Sequence, residues 1–482
     1  MKIALIHCPF GHRIFSENLK VVDEEFCLAP PIILAYVAAI LEKAGHQVIL
    51  IDANALRLTK EKTLKILKEF KPDIVGFRAD TYWFHRVVEW ADYFKNNMNV
   101  IIIVGGINIT LYPRESLSHR CFDYGITGEA NESLLKLILA VENKRNVKGV
   151  QGVVYRENGI VICNPASENI VAFDDYPFPA RHLLPNKLYY SFTSQLKNFT
   201  IMITSTGCPF KCSFCAISRL AYRERNPINV VDEIEECYRK FNVREIDFFD
   251  ATFFINKKRS IAICEEILKR GIKIEWSCRS RADVVDDDIL RMASQAGCRK
   301  IYYGIESVAD EVLKNVNKKV DAGQIIRAIN LAHKYGINTL GFFMVGNPSD
   351  NRDSILSSIK FAKKIKLDFI QVCRTIAKPN TELNDYLIKM HGVDYWREYI
   401  LGKRAEGRLP TPWSELSEDE AERYLRKFYR DFYFRPSYII KRIFRIRSLV
   451  ELVRYIKAAM RWSFSNYSDV KKEFKILPQH NR

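Results

Sequence analysis

Short apolar runs and helix-length amphipathic stretches alternate through the first 150 residues. Ile3–His7, Val48–Ile51, Ile74–Phe77 and Val100–Val104 have strand length, and Asp123–Thr127 reads as a fifth strand. Between them Pro31–Ala44, Lys60–Phe70 and Tyr82–Asn96 have helix length, and another helix starts near Asn131. Alternation with short connections predicts a parallel sheet with helices on both faces, a small doubly wound, Rossmann-like domain. Residues 151–163 carry Glu157, Asn158 and Gly159 between two apolar stretches and predict a β-hairpin. Pro165, Pro177, Pro179 and Pro185 then mark a linker.

The alternation restarts at Thr200. Strands are expected at Thr200–Ser205, Glu245–Phe249, Ile272–Ser277, Lys300–Ile305, Thr339–Val345 and Phe369–Cys373. Helices fit between them at Val230–Phe241, Lys258–Lys269, Asp287–Ala296 and Ala322–Tyr335, with Gly271, Gly297 and Gly336 where helix C-caps belong. Six such units predict an incomplete (β/α) barrel. Past about residue 384 the pattern becomes helical, aromatic and basic. The α/β chain thus divides into a domain over 1–148, a hairpin and Pro-rich linker over 149–193, a partial barrel over 194–383 and a helical region over 384–482.

A length of 482 residues suits two or three domains, and 48% hydrophobic with 27% charged residues excludes a largely disordered chain. The longest unbroken apolar run, Ile32 to Leu41, is ten residues, against about 20 for a membrane span. The N-terminal strand is too short for a signal-peptide core, so a cytoplasmic protein is expected. The net charge of +17 suits an anionic partner without choosing one. Twelve cysteines in an unsecreted chain point to metal or redox chemistry wherever they cluster.

Three do cluster. Cys208, Cys212 and Cys215 stand at C-x-x-x-C-x-x-C spacing directly after the first barrel strand. Gly207, Pro209 and Ser213 are loop formers, so a tight loop converges three thiolates, the usual protein ligands of iron–sulfur clusters. Zinc would want a fourth nearby ligand. Cys237, Cys264, Cys278, Cys298 and Cys373 are isolated and are expected to be small buried hydrophobes.

This loop resembles the signature of radical S-adenosylmethionine (SAM) enzymes, which use a six-unit β/α barrel. The resemblance implies a 4Fe–4S cluster on the three cysteines, with an open iron that binds SAM and an electron that cleaves it to a 5′-deoxyadenosyl radical. It also implies an external electron donor such as flavodoxin or ferredoxin. Barrel sites gather at the carboxyl ends of strands, where Asp250, Arg279, Arg281, Glu306 and Gly346 stand; by resemblance the Asp250, Glu306 and Gly346 regions help hold SAM. Ala251 and Asn380 depart from the usual pattern.

In the first domain Gly105 with Gly106, and Gly128 with Glu129, follow two strands. Together with Ala29, Pro30 and Pro31, and with Asp52 after the second strand, they resemble the cobalamin-binding domain fused ahead of such barrels. A G-x-G-x-x-G fingerprint is absent, against a dinucleotide. No D-x-H-x-x-G string is present, and His7 and His12 are expected to be ordinary loop or core histidines. The resemblance therefore implies cobalt without a histidine ligand from the chain.

Between Arg435 and Arg461 there are eight Lys or Arg and one acidic residue, Glu451, among recurring apolar residues. One or two amphipathic basic helices are expected, packed on the barrel, lying on anionic lipid or forming a lid over an apolar substrate; nucleic acid is not the expected partner. The whole reading is a cobalamin-dependent radical SAM methyltransferase acting on an unactivated carbon of a small or lipid-like substrate. The alternatives are a radical cyclase of the same layout and a non-catalytic cobalamin sensor. A tRNA methylthiotransferase would need further cluster cysteines, and Cys8, Cys27 and Cys121 lack convincing spacing.

Overall fold

The computed structural model describes residues 1–9, 27–166, 171–191, 193, 194, 196, 198–404 and 409–444. His12 and the basic tail beyond residue 444 lie outside them. The first part contains β1 (Lys2–His7), β2 (Cys27–Leu28), β3 (Gln47–Asp52), β4 (Ile74–Arg78), β5 (Ile101–Gly105), β6 (Tyr124–Ile126), β7 (Val153–Glu157) and β8 (Ile160–Cys163). All but β2 form one sheet in the order β3-β1-β4-β5-β6-β7-β8, parallel through β6 and closed by the antiparallel β7–β8 hairpin.

Helices cover both faces, which is why β1 is apolar on both. Ala4 and Ile6 pack with Trp90 and Phe94 on one side, and Ile3 and Leu5 with Leu34 and Leu41 on the other. Strand order reverses between β1 and β4, so the crevice outside their carboxyl ends is where such a sheet binds ligand.

The second part adds β9 (Tyr190–Ser191), β10 (Phe199–Met202), β11 (Ser205–Thr206), β12 (Arg223–Glu224), β13 (Glu245–Phe248), β14 (Glu275–Ser280), β15 (Cys298–Glu306), β16 (Asn338–Val345) and β17 (Phe369–Arg374). The order β10-β13-β14-β15-β16-β17 is parallel throughout, a curled half-barrel. Phe248, Trp276, Cys278, Tyr303 and Val345 face the helical layer, and Cys237, Cys264 and Cys298 are buried in the same core. Cys373 is half-buried.

Two strands differ from the sequence pattern for local reasons. The run from Thr200 stops pairing at Met202, because the Thr204 N–H and hydroxyl both turn to Asp250. The run from Ile272 enters the sheet only at Glu275. Gly271, at φ +63°, and Ile272 still close the preceding helix, their amides bonding Leu268 and Ile267 carbonyls at 3.0 and 3.2 Å. This is a Schellman end, in which an apolar residue after the glycine belongs to the helix cap.

Past β17 the chain leaves the barrel and returns. Trp396, Tyr399 and Ile400, on the helix Tyr395–Ile400, are buried in the first domain beside Phe84 and Trp90. His85 and His119 hold the end of that helix, Nε2 to the Tyr399 and Ile400 carbonyls at 2.6 and 2.7 Å. The helix Glu418–Tyr433 then covers the open edge of the half-barrel. Tyr433 and Tyr429 hydroxyls accept from the Ile370 and Val372 amides, each at 2.9 Å, and donate back to the same residues' carbonyls. Side chains here complete an edge that would otherwise present unpaired backbone.

The two domains are joined at one buried charge cluster. Glu233, fully buried, takes Arg181 of the linker at 2.6 Å and also Arg225, just after β12. Tyr36, from the helix Ile32–Lys43 of the first domain, donates to the same carboxylate at 3.5 Å. Burial alone would raise the Glu233 carboxyl, but the two guanidiniums hold it below its ordinary value. Glu233→Gln leaves two buried cations unmatched, a loss of about 3–5 kcal/mol. Urea denaturation of the full chain should show a drop of that size, whereas Glu236→Gln, an exposed i,i+4 pair with Lys240, should change stability by under about 1 kcal/mol.

Candidate cofactor site

The cysteine loop springs from the antiparallel pair β11–β12, Ser205 opposite Glu224 and Thr206 opposite Arg223. Gly207 opens it at φ +71°, and a Cβ there would lie 2.1 Å from the Ala221 carbonyl oxygen. Only glycine lets the outgoing limb cross the returning one so closely. Inside the loop the Cys215 amide bonds the Cys212 carbonyl at 3.1 Å, and Lys211 Nζ donates to the Ser218 carbonyl at 2.8 Å.

Distant segments clasp the loop. The Ser213 amide donates to the Val316 carbonyl at 3.2 Å, and Asn317 Nδ2 to the Lys211 carbonyl at 2.6 Å. The Leu383 amide donates to the Ser213 carbonyl at 3.3 Å. Cys212 is buried and Cys208 and Cys215 are half-buried. Burial pushes the Cys212 thiol up, and the Lys318 ammonium and Arg281 guanidinium pull it down against the Glu306 carboxylate.

Glu306 and Lys318 form a buried pair at 3.0 Å. Glu306 sits at φ +65° where β15 and β16 slip register. Its position depends on Gly304, where a Cβ would lie 2.6 Å from Glu306 Oε1 and 2.8 Å from Lys318 Nζ. Asp250 is fully buried, and its two oxygens accept from the Thr204 amide at 2.7 Å and the Thr204 hydroxyl. It ties the end of β13 to the base of the cysteine loop. Gly346, at φ +85°, donates its amide to Asp350 at 3.0 Å, and a Cβ on it would enter open space.

At the edge of the first sheet the glycines divide. A Cβ on Gly106 would lie 2.6 Å from the Ala79 carbonyl oxygen, so this glycine serves the crossing of β4 and β5. A Cβ on Gly105 would make only an ordinary contact with Ile126 at 3.9 Å, and one on Gly128 would meet nothing. At the strand ends Gly128 therefore borders free space and Gly105 is uncrowded. Glu129 accepts from Tyr176 at 2.6 Å and pairs with Arg223 of β12. His7, at the end of β1, is half-buried and held below its ordinary value by burial.

Residues 202–362 match the radical SAM superfamily and residues 27–138 the B12 binding domain. An uncharacterized methyltransferase from Pyrococcus horikoshii is 32% identical over 443 residues, 90% of this chain and 94% of that protein. The chain belongs to the cobalamin-dependent radical SAM methyltransferase family. Its relatives include an anaerobic magnesium-protoporphyrin IX monomethyl ester cyclase from Rubrivivax gelatinosus, 30% identical over 69% of this chain and 62% of the cyclase. The fold is that of the radical SAM methyltransferase TsrM from Kitasatospora setae, solved with cobalamin and a 4Fe–4S cluster. The TM-score is 0.65 at 16% identity, over 80% of this chain and 78% of that one.

The cofactors of this radical SAM enzyme are accordingly a 4Fe–4S cluster, SAM and cobalamin. The donor set fits the cluster: three thiols on one short loop, beside the Lys318 and Arg281 cations, which partly offset the rise that burial and Glu306 impose on Cys212. Among the described residues no three His, Cys, Asp or Glu side chains form a site for a single metal ion. Open space at Gly128, and room for more than a hydrogen at Gly105, fit a cofactor lying against backbone. When bound, the cluster supplies an electron to SAM and cobalamin supplies a methyl carrier.

Sequence reasoning did not assign Arg281, Lys318 or Arg223 to the site. Arg281 was visible as a strand-end arginine, but no local signal separates Lys318 from Lys319 beside it. Two expectations follow. Replacing Cys208, Cys212 and Cys215 together by Ala should abolish cluster absorbance and 5′-deoxyadenosine formation in reconstituted protein, whereas Cys264→Ala should leave iron content unchanged. Gly105→Val should fold but lose cobalamin, read as bound cobalamin per chain, while Gly106→Ala should lower stability by forcing β4 and β5 apart.

Proposed function

We propose that this enzyme is a C-methyltransferase in which Cys208, Cys212 and Cys215 hold the cluster. Glu306 and Gly346 border the SAM site, Asp250 supports it from beneath, and Gly105 and Gly128 line the cobalamin groove. The observation that carries this reading is the bridge from Glu129 to Arg223. It fastens the glycine edge of the first sheet to the returning limb of the cysteine loop, so the methyl carrier and the radical source share one space. Gly106 and Glu129 then shape that groove from behind rather than through direct contact.

The substrate is a small molecule, and we place its reacting carbon between the two edges. Electrons would come from a flavodoxin- or ferredoxin-type donor. No described helix is long and apolar enough to cross a membrane. Peripheral contact with anionic lipid through residues 435–461 is supported by the exposure of Ile440 and Phe444, at 57% and 85%, at the start of the basic stretch. A ring-closing radical reaction is the second reading, favoured by the 30% identity to the cyclase.

Methyl-labelled SAM incubated anaerobically with the reduced enzyme and cell extract distinguishes them. A methyltransferase should form S-adenosylhomocysteine and 5′-deoxyadenosine in equal amounts and place label in product. Deoxyadenosine without S-adenosylhomocysteine would establish the cyclase reading instead.

A further inference from the structure

Arg281 follows β14 and is buried against the cysteine loop, its side chain 5% exposed. Its guanidinium has two differently engaged edges. Nε and Nη2 donate to the two oxygens of Asp283 at 2.9 and 2.7 Å. Nη1 is turned the other way and stands 4.0 Å from Cys212 Sγ. The plane lies over the ring of Phe210 at 3.8 Å. Phe210 and Cys212, two residues apart in one loop, therefore close on one guanidinium, by stacking and by an N–H···S contact.

We propose that Arg281 is a positioning residue that holds Cys212 and raises the reduction potential of the cluster bound there. The inference rests on reading Cys212 as a cluster ligand. Reduction takes one electron from an added reductant, makes and breaks no bond, and leaves the cluster with its thiolates one unit more negative. A fixed cation beside a ligand sulfur stabilises that added charge, and hydrogen bonds to sulfur are among the determinants of such potentials. Arginine suits the role because it stays charged when buried. Asp283 occupies the edge remote from the sulfur, so the ion pair turns its positive end to Cys212. The carboxylate moderates the cation without cancelling it, and this gives the two residues opposite signs of effect.

The test uses the full chain, reconstituted anaerobically and titrated with dithionite while the reduced cluster is followed by electron paramagnetic resonance. Arg281→Gln should make reduction about tenfold less favourable, a shift of about 59 mV to more negative potential for a one-electron couple. Arg281→Lys should restore most of the difference. Asp283→Asn leaves the cation uncompensated and should move the potential the opposite way, a reversal that a merely structural role would not produce. The proposal is overturned if Arg281→Gln with full iron changes the equilibrium by less than twofold, or if Asp283→Asn shifts in the same direction. Should Arg281→Gln fail to retain iron, the sign of the Asp283→Asn shift decides alone. Iron content of Cys212→Ala separates the two layers: full iron there removes the ligand reading, and the proposal with it. Reduced iron there, with an unchanged potential in Arg281→Gln, removes only the role of Arg281.

Discussion

Glu233 carries a full charge in a place without solvent, and it can do so only while Arg181 and Arg225 remain on either side of it. Those arginines belong to the linker and to the chain just after the cysteine loop, and Tyr36 brings in the helix Ile32–Lys43 of the opposite domain. Arg225 also donates to the Ile203 carbonyl, and Arg259 reaches the carbonyls of Arg225 and Thr204. The base of the cysteine loop is therefore set by the same contacts that set the domains against each other. Moving either domain would uncover a charge, which makes the arrangement stiff at the base of the cysteine loop.

The site is assembled from parts with little sequence proximity. The loop supplies the thiols, but the 316–319 segment, the start of the helix Glu382–His391 and the end of β14 hold it in shape. Gly304 and Gly207 contribute by what they lack: one leaves room for the Glu306–Lys318 pair, the other for a backbone crossing. Arg281 and Lys318, the two cations that act on Cys212, each stand in an ion pair, with Asp283 and Glu306 respectively.

Much of this was legible in the sequence because it is periodic or local. Parallel strands buried on both faces read as continuous apolar runs, and the C-x-x-x-C-x-x-C spacing states its chemistry outright. What was not legible depends on approach between distant backbones. Gly105 and Gly106 look equivalent in sequence, yet a Cβ on one would make only an ordinary contact with Ile126 while one on the other would collide with the Ala79 backbone. Asp250 and Glu306 both end barrel strands, yet Asp250 is used up by Thr204 while Glu306 is balanced by Lys318. Ile272 looked like the start of a strand because an apolar helix cap and an apolar strand obey the same local preference.

The excursion of the chain from β17 to the first domain and back has a consequence for modularity. Trp396, Tyr399, Ile400 and Leu409 fill a core whose other buried members come from the first 154 residues. The N-terminal unit is thus not a cassette that ends where its sheet ends. A recombination event exchanging only the segment before the linker would inherit a cavity the size of an indole, a phenol and two aliphatic side chains. Exchange between such enzymes is workable only when the strap travels with the domain it plugs, so the two stretches should be inherited together despite the barrel between them.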